Sequence, residues 1–393
     1  MTTGQQALLE LLNISAGKES NFDFSALSIE EWRAVYAESC YHSVVISAFD
    51  GTENISETPE LIKNKWLSDV GRAIRRNEKI RINGKYLDEL LSENGLNYII
   101  LKGFASASYY QDPDKRMLGD LDFLVASEQR QEVEELLVKE GFNKSLEGHS
   151  HHTLFQKEGA DFEMHHRVAG IPDGKAGKVF SEFFADALSK FIDDGFHNPL
   201  PEIHGAVILL HTIHHMTVDG LGLRHLCDFA YFVDKTAKES FWEEKLIPLF
   251  KESGTLCFAA AITKTCAKYL KTACPDWAEA VPDSLCDDII FDIMSLGTFG
   301  RKNEERRAAG RMTVKSGKKG KLAAMLHTLH NTMHTTCPIL GKVPILYPFC
   351  FVYRIIKYLV LSVLGKKKSI LKISAEADSR NKIYDKLHIF EVK

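Results

Sequence analysis

One short alternation in this chain leaves few structural choices. In Leu118-Gly119-Asp120-Leu121-Asp122-Phe123-Leu124-Val125, two aspartates stand two residues apart at the head of an apolar run. Side chains two apart on a strand share a face. The spacing therefore predicts a strand that aims both carboxylates one way and turns Leu121 and Phe123 into a core. Like charges side by side repel, so the pair calls for a cation. Mg²⁺ is the ordinary choice, because it takes one or two carboxylates together with substrate phosphates; Mn²⁺ is the alternative. Alone, such a pair would equally fit a solvated strand end or a turn.

The surroundings favour the cation. Tyr98-Ile99-Ile100-Leu101 reads as a buried strand between Asn94-Gly95 and Gly103, followed by a helical piece with Phe104, Ala107 and Ser108 at helical spacing. Lys102, Gly103 and Ser106 thus sit where a strand meets a helix N-terminus, a place whose free N–H groups favour phosphate. Glycine there permits close backbone approach. Arg116, four residues before Asp120, is a candidate bidentate phosphate clamp, or else the ion-pair partner of Asp112 or Asp114. Further on, Asp161, Glu163 and His165 alternate and would share one strand face.

Taken together, Leu101-Lys102-Gly103, Tyr109-Tyr110 and Arg116-x-x-Gly119-Asp120-Leu121-Asp122-Phe123-Leu124-Val125 resemble the nucleotidyltransferases of the DNA polymerase β superfamily. The closest likeness is to an uncharacterised, mostly bacterial branch of it. The resemblance implies three metal-binding, catalytic carboxylates: Asp120, Asp122 and, from the element Asp161–Arg167, Glu163. On spacing alone Asp161 is the fallback for Glu163, and His165 would orient a carboxylate from behind. Three carboxylates can hold two Mg²⁺ about 4 Å apart. Lys102, Gly103, Ser106, Arg116 and Gly119 would handle the triphosphate of an NTP. The wider superfamily has Gly-Gly or Gly-Ser at the turn where this chain has Gly103-Phe104. Phosphate contact then falls to backbone N–H groups, Lys102 or Ser106. The likeness is strongest over residues 85–170 and continues loosely into 205–235, with His211, His215 and Leu223-Arg224-x-x-x-Asp228. The implied reaction moves a nucleoside monophosphate to an acceptor hydroxyl or phosphate on a small molecule, a sugar or a protein. Protein adenylylation, and a catalytically silent nucleotide-binding or scaffold protein of the same fold, are the alternatives.

The fold class expected is α+β: a small mixed sheet with helices on one side, an N-terminal helical layer and a C-terminal helical domain. The segments are 1–84, 85–172 (the sheet), 173–298 (all-helical), 299–325 (a basic linker or loop) and 326–393 (a helical tail). Ser28-Ile29-Glu30-Glu31 has capping-box form. Thr58-Pro59-Glu60 starts a second helix with Pro at its first position. Tyr86, Leu87, Leu90 and Leu91 form the apolar face of the helix before Tyr98. Ser127 is a candidate cap for a helix ending at Gly141.

Composition sets the outer limits. A formal net charge of −4 over 393 residues gives no global pull toward nucleic acid. The eight cysteines show no metal spacing and read as reduced thiols of a cytosolic protein, and the N-terminus has no signal-peptide pattern. A zinc reading of His149, His151 and His152, or of His211, His214 and His215, is set aside: the first set lies in a polar loop and the second has no H-E-x-x-H carboxylate. Arg224 and Asp228, four apart, are expected to pair on one helix face, with Asp228 as a minor option for a base. Residues 343–364 have spanning length, but Arg354 and Lys357 interrupt them and Pro344 and Pro348 break their start. Each such charge costs about 3 kcal/mol at a bilayer centre. A core helix is the first reading, and a basic amphipathic helix over 343–368 in peripheral contact with a membrane the second.

Overall fold

The computed structural model describes residues 1–145, 152–193, 196–236, 238–313, 333, 337–341, 343–363 and 370–392. Four helices come first: α1 (Thr3–Ser15), α2 (Ile29–Tyr41), α3 (Val45–Asp50) and α4 (Glu60–Glu93). Ser28 and Glu31 close the expected capping box on α2. Pro59 is the N-cap of α4 rather than its first helical residue. At 34 residues, α4 is about 50 Å long, and it serves two cores. Its first half buries Ile62, Trp66 and Val70 among α1–α3, where Trp66 Nε1 donates to the Val45 carbonyl at 3.0 Å. Its second half buries Ile80, Leu87 and Leu91 under the sheet. The helix thus runs unbroken through the 84/85 boundary.

The sheet contains β1 (Tyr98–Ile100), β2 (Leu121–Val125), β3 (Asn143–Lys144), β4 (His152–Lys157) and β5 (Ala160–His165), in the order β1-β2-β5-β4-β3. A single-turn helix, α5 (Phe104–Ala107), follows β1, and α6 (Arg130–Lys139) follows β2. The sheet is mixed: β2 runs parallel to β5, and the other neighbours are antiparallel. Glu158 and Gly159 both have positive φ, 51° and 80°, and form the two-residue turn that joins β4 to β5. Ser127 does not cap α6. It opens a 3₁₀ turn, and its hydroxyl donates to the His166 carbonyl at 3.4 Å.

One face of the sheet, with Leu121, Phe123, Phe162 and Met164, closes over α4 and α6. Helices do not stay on that side alone. The other face looks toward α8 (Pro201–Thr217) and α9 (Leu223–Lys235), reached through α7 (Gly174–Phe183) and a small hairpin, β6 (Phe191–Asp193) with β7 (His197–Pro199). The hairpin interrupts what the sequence presents as an all-helical region.

The basic stretch is not simply a linker. Glu304–Thr313 is a helix whose buried Arg306 pairs with Asp292, and Arg380 of the helix Ile370–Leu387 shares that carboxylate. The rest of that stretch, 314–325, lies outside the described residues, as do His149 and His151. The helix Tyr347–Val363 is not a core helix: Phe349, Val352, Tyr353, Ile356 and Val360 are all exposed, Phe349 by 73%. Among the described residues no helix is long and apolar enough to cross a membrane. All eight cysteines are free thiols.

Candidate active site

The carboxylates are placed by strand register. In the parallel pair β2–β5, Asp122 lies opposite Glu163, so the two side chains stand side by side on the face turned away from α4. Asp120 precedes β2 by one residue. One carboxylate oxygen each from Asp120, Asp122 and Glu163 lies within 4.8 Å of the other two. The segment leading into β2 is held from below by Asn77 of α4, which donates to the Arg116 carbonyl at 2.9 Å and accepts from the Leu118 N–H at 2.8 Å.

Asp122 is the most enclosed of the three, with 1% of its side chain exposed. Lys102 Nζ lies 2.7 Å and His165 Nε2 2.9 Å from the same Asp122 oxygen. Burial works against the Asp122 charge, but Lys102 and His165 outweigh it and hold the carboxyl well below its usual range. By the same contacts Lys102 and His165 are both raised despite their own burial. Glu163 moves the other way. Burial first, then the charges of Asp122 and Asp120, push its carboxyl up against a hydrogen bond from His165. Three carboxylates this close together are a group that could hold a divalent cation. Asp161 is not brought in. It accepts from Gln156 Nε2 at 2.7 Å and does not line the cavity.

The cavity above these groups holds about 300 Å³. Lys102, Gly103, Ser106, Arg116, Gly119, Asp120, Asp122, Glu163 and His165 all line it, so these sequence candidates, scattered over some sixty residues, meet in one place. Gly103 has φ +73°, a conformation that disfavours side chains, and it caps the single turn of α5. The Ser106 hydroxyl is buried 3.5 Å from His204 Nε2 of α8, so it faces a histidine. Burial pushes His204 down to about 3.

Two arginines have partners other than those the sequence suggests for them. Arg116 pairs with neither Asp112 nor Asp114. Its Nε and Nη2 donate to the two oxygens of Asp228, each at 2.7 Å, in a buried fork that Tyr110 joins with a 3.0 Å hydrogen bond. Asp228 is therefore taken, and among the described residues Arg224 on the same helix forms no ion pair. Arg224 Nη1 donates to the Met117 carbonyl at 3.4 Å and passes so close over Gly119 that a Cβ there would meet it at 3.2 Å. Sequence reasoning paired Arg224 with Asp228 because that carboxylate stands four residues away; the structure gives it to Arg116 instead. The first turn of α9 is fixed by His42, whose Nδ1 accepts from Leu223 N–H at 3.2 Å and whose carbonyl accepts from Arg224 N–H at 3.3 Å.

The far wall of the cavity carries His211, His215 and His225, with a ring nitrogen of each within 4.8 Å of the other two. Burial pushes all three well below the ordinary histidine value, so they sit there neutral. His225 had no signal in the sequence, since it comes from a different helix than the His211/His215 pair.

Residues 28–271 match the model of a protein family described as "Uncharacterised nucleotidyltransferase". The match begins at the cap of α2 and takes in the sheet and both helices of the far wall. No curated protein and no solved structure matches the chain. The matched region is more than half of the 393 residues and includes every group that lines the cavity except Phe299, and the chain belongs to this nucleotidyltransferase family.

Proposed function

We propose that this protein is a Mg²⁺-dependent nucleotidyltransferase that moves a nucleoside monophosphate from an NTP to an acceptor hydroxyl or phosphate. The observation that carries the reading is the convergence of Asp120, Asp122 and Glu163 at one end of the parallel pair β2–β5, facing a cavity lined by Lys102 and Arg224. The same strand–glycine turn–D-x-D arrangement supports a place in the DNA polymerase β superfamily.

Asp120, Asp122 and Glu163 would hold Mg²⁺, or Mn²⁺, which when bound acidifies the acceptor hydroxyl and offsets charge on the triphosphate. Lys102 and Arg224 are the cations that face the phosphates, with the Gly103 turn offering backbone N–H groups at close range. Arg116 contributes at one remove, by locking the segment before β2 onto α9. His165 fixes the Asp122 and Glu163 oxygens through contacts of 2.9 and 3.4 Å. The acceptor oxygen attacks the α-phosphorus, the bond from that phosphorus to the bridging oxygen breaks, and pyrophosphate leaves. The acceptor's proton passes to the carboxylate cluster of Asp120, Asp122 and Glu163 that lines the cavity.

A second proposed contact lies outside the cavity. Phe349, Val352, Tyr353, Ile356 and Val360 recur at helical spacing along Tyr347–Val363, and the surrounding residues 343–368 contain Arg354, Lys357 and Lys366-Lys367-Lys368 without one acidic residue. That chemistry fits a peripheral contact with anionic lipid.

Incubation with each of four labelled NTPs and Mg²⁺ tests the main reading. Labelled product or pyrophosphate is expected from the wild type and not from Asp120→Asn. NTP binding without turnover, across small-molecule, sugar and protein acceptors, would favour the silent nucleotide-binding alternative.

A further inference from the structure

The histidines of the helical wall have no part in the transfer chemistry above. His211 and His215 lie one turn apart on α8, and α9 sets His225 beside them. His211 Nε2 approaches His215 Nε2 to 2.9 Å, and the rings of His215 and His225 stack at 4.4 Å. Phe299 closes over those two rings at 5.2 and 5.9 Å. Ordinary packing accounts poorly for this. Buried imidazoles hand their N–H groups to carbonyls or carboxylates. Here, among the described residues, no carboxylate lies within ion-pair distance of any of the three. His225, only 4% exposed, has a buried Nε2 with no partner. Its other nitrogen receives only a long 3.4 Å contact from the Gly222 N–H.

We propose that His211, His215 and His225 bind one divalent metal ion of the kind that prefers imidazole, Zn²⁺ foremost, with a fourth position open to the cavity. Three histidines and an open position form a ligand set that zinc adopts. Zinc–nitrogen bonds of 2.0–2.1 Å put tetrahedral ligand nitrogens about 3.3 Å apart. The 2.9 Å contact between His211 and His215 therefore needs only a small opening to admit the ion. His225 offers Nε2, at the expense of the weak Gly222 contact. The ligand types sort the two sites: carboxylate oxygens suit Mg²⁺ and imidazoles suit zinc. All three histidines line the cavity that Asp120, Asp122 and Glu163 line. The open position thus faces whatever binds against the carboxylates, and a phosphate oxygen or a water is the ligand it would take. The site stands independently of nucleotidyl transfer.

The test is metal binding by the full chain, read without any activity assay. Wild type and Asp120→Asn, stripped and dialysed against Zn²⁺, should each retain one tightly held equivalent. Co²⁺ in its place should give the visible absorption of a tetrahedral nitrogen site. His225→Gln and His215→Gln should lose that absorption and bind Zn²⁺ at least ~100-fold more weakly. His211→Gln removes the half-buried member, so it takes a ligand away without emptying the core. Its circular dichroism, if unchanged, keeps a loss of binding interpretable. No zinc on the wild type, or zinc held equally well by the three variants, overturns the proposal. Zinc lost from Asp120→Asn but kept by the histidine variants would move the ion to the carboxylates and also overturn it.

Discussion

Arg116 and Asp228, 112 residues apart, close a two-armed ion pair of 2.7 Å on each arm, between the segment that feeds β2 and the middle of α9. The pair sits at the cavity's edge and joins its two walls. It also occupies the Arg116 guanidinium and leaves Asp228 unpaired with Arg224.

Breaking the pair should therefore be a stability event. Removing one partner from a buried ion pair costs about 3–5 kcal/mol, because the other charge stays behind. Asp228→Asn is expected to fall in that range in urea unfolding, and Arg116→Lys should not restore the fork. Arg224→Met should leave stability within about 1 kcal/mol and weaken NTP binding at least tenfold, since that guanidinium has no carboxylate to lose. Equal effects of the two arginine substitutions on binding, with neither affecting stability, would reverse the assignment.

The carboxylates should separate by position. Asp120→Asn is the cleaner metal probe: Asp122→Asn also strips Lys102 of its 2.7 Å partner and should lower stability as well as activity. Glu163→Gln should reduce turnover by two orders of magnitude or more, and Asp161→Asn by less than threefold. A larger loss at Asp161 would show that Glu163 is the wrong residue of this strand.

Acid should weaken the fold through buried neutral histidines. His204 is held near 3 in the folded chain, against about 6.5 unfolded. The unfolded state then binds the extra proton as pH falls through 6.5, so stability drops from there toward pH 3, by about 1.4 kcal/mol per pH unit for such a group. His42 is lowered by burial and acts in the same direction. His165 is raised and opposes them: its contribution is full below about 6.5 and fades as pH rises through its higher folded value. Urea midpoints at pH 7.5 and 5.5 measure the balance, and His204→Gln should flatten the acid-side slope.

For the helix Tyr347–Val363, co-sedimentation with phosphatidylserine vesicles is expected, weakened by salt and by Phe349→Asp or Ile356→Asp. Each basic residue near such a surface contributes about 1 kcal/mol, so Lys357→Glu should weaken binding several-fold. Equal pelleting with neutral vesicles would remove the electrostatic part of the reading.

The sequence was most legible where neighbours along the chain are also neighbours in space. Asp120 and Asp122 follow from period-two alternation, and the capping box of α2 from four adjacent residues. Pairings between distant elements could not be read. Arg116 had two acids within the four residues before it, yet Asp112 accepts from the Asp114 N–H and Asp114 pairs with Arg81 of α4. Asp122 opposite Glu163 is a register between strands forty residues apart, which alternation allows but does not select. The helix Tyr347–Val363 misled because an apolar sequence does not say whether anything covers it.

The long helix α4 has a consequence for where the protein can be altered. Its Trp66 end is seated in the N-terminal helices, and eleven residues later Asn77 grips the peptide groups of Arg116 and Leu118, two positions ahead of Asp120. The approach of the chain to Asp120 is thus held by a beam anchored in a different part of the molecule. A substitution that re-seats Trp66 would travel along that beam and arrive at the entry to β2 as a shift of the segment before Asp120, though it touches nothing in the cavity. The sheet, for its part, borrows some of its floor: cut free at residue 85, it would keep Leu87, Leu91 and the α6 residues Val133 and Leu137 but lose Ile80 and the Asn77 clamp.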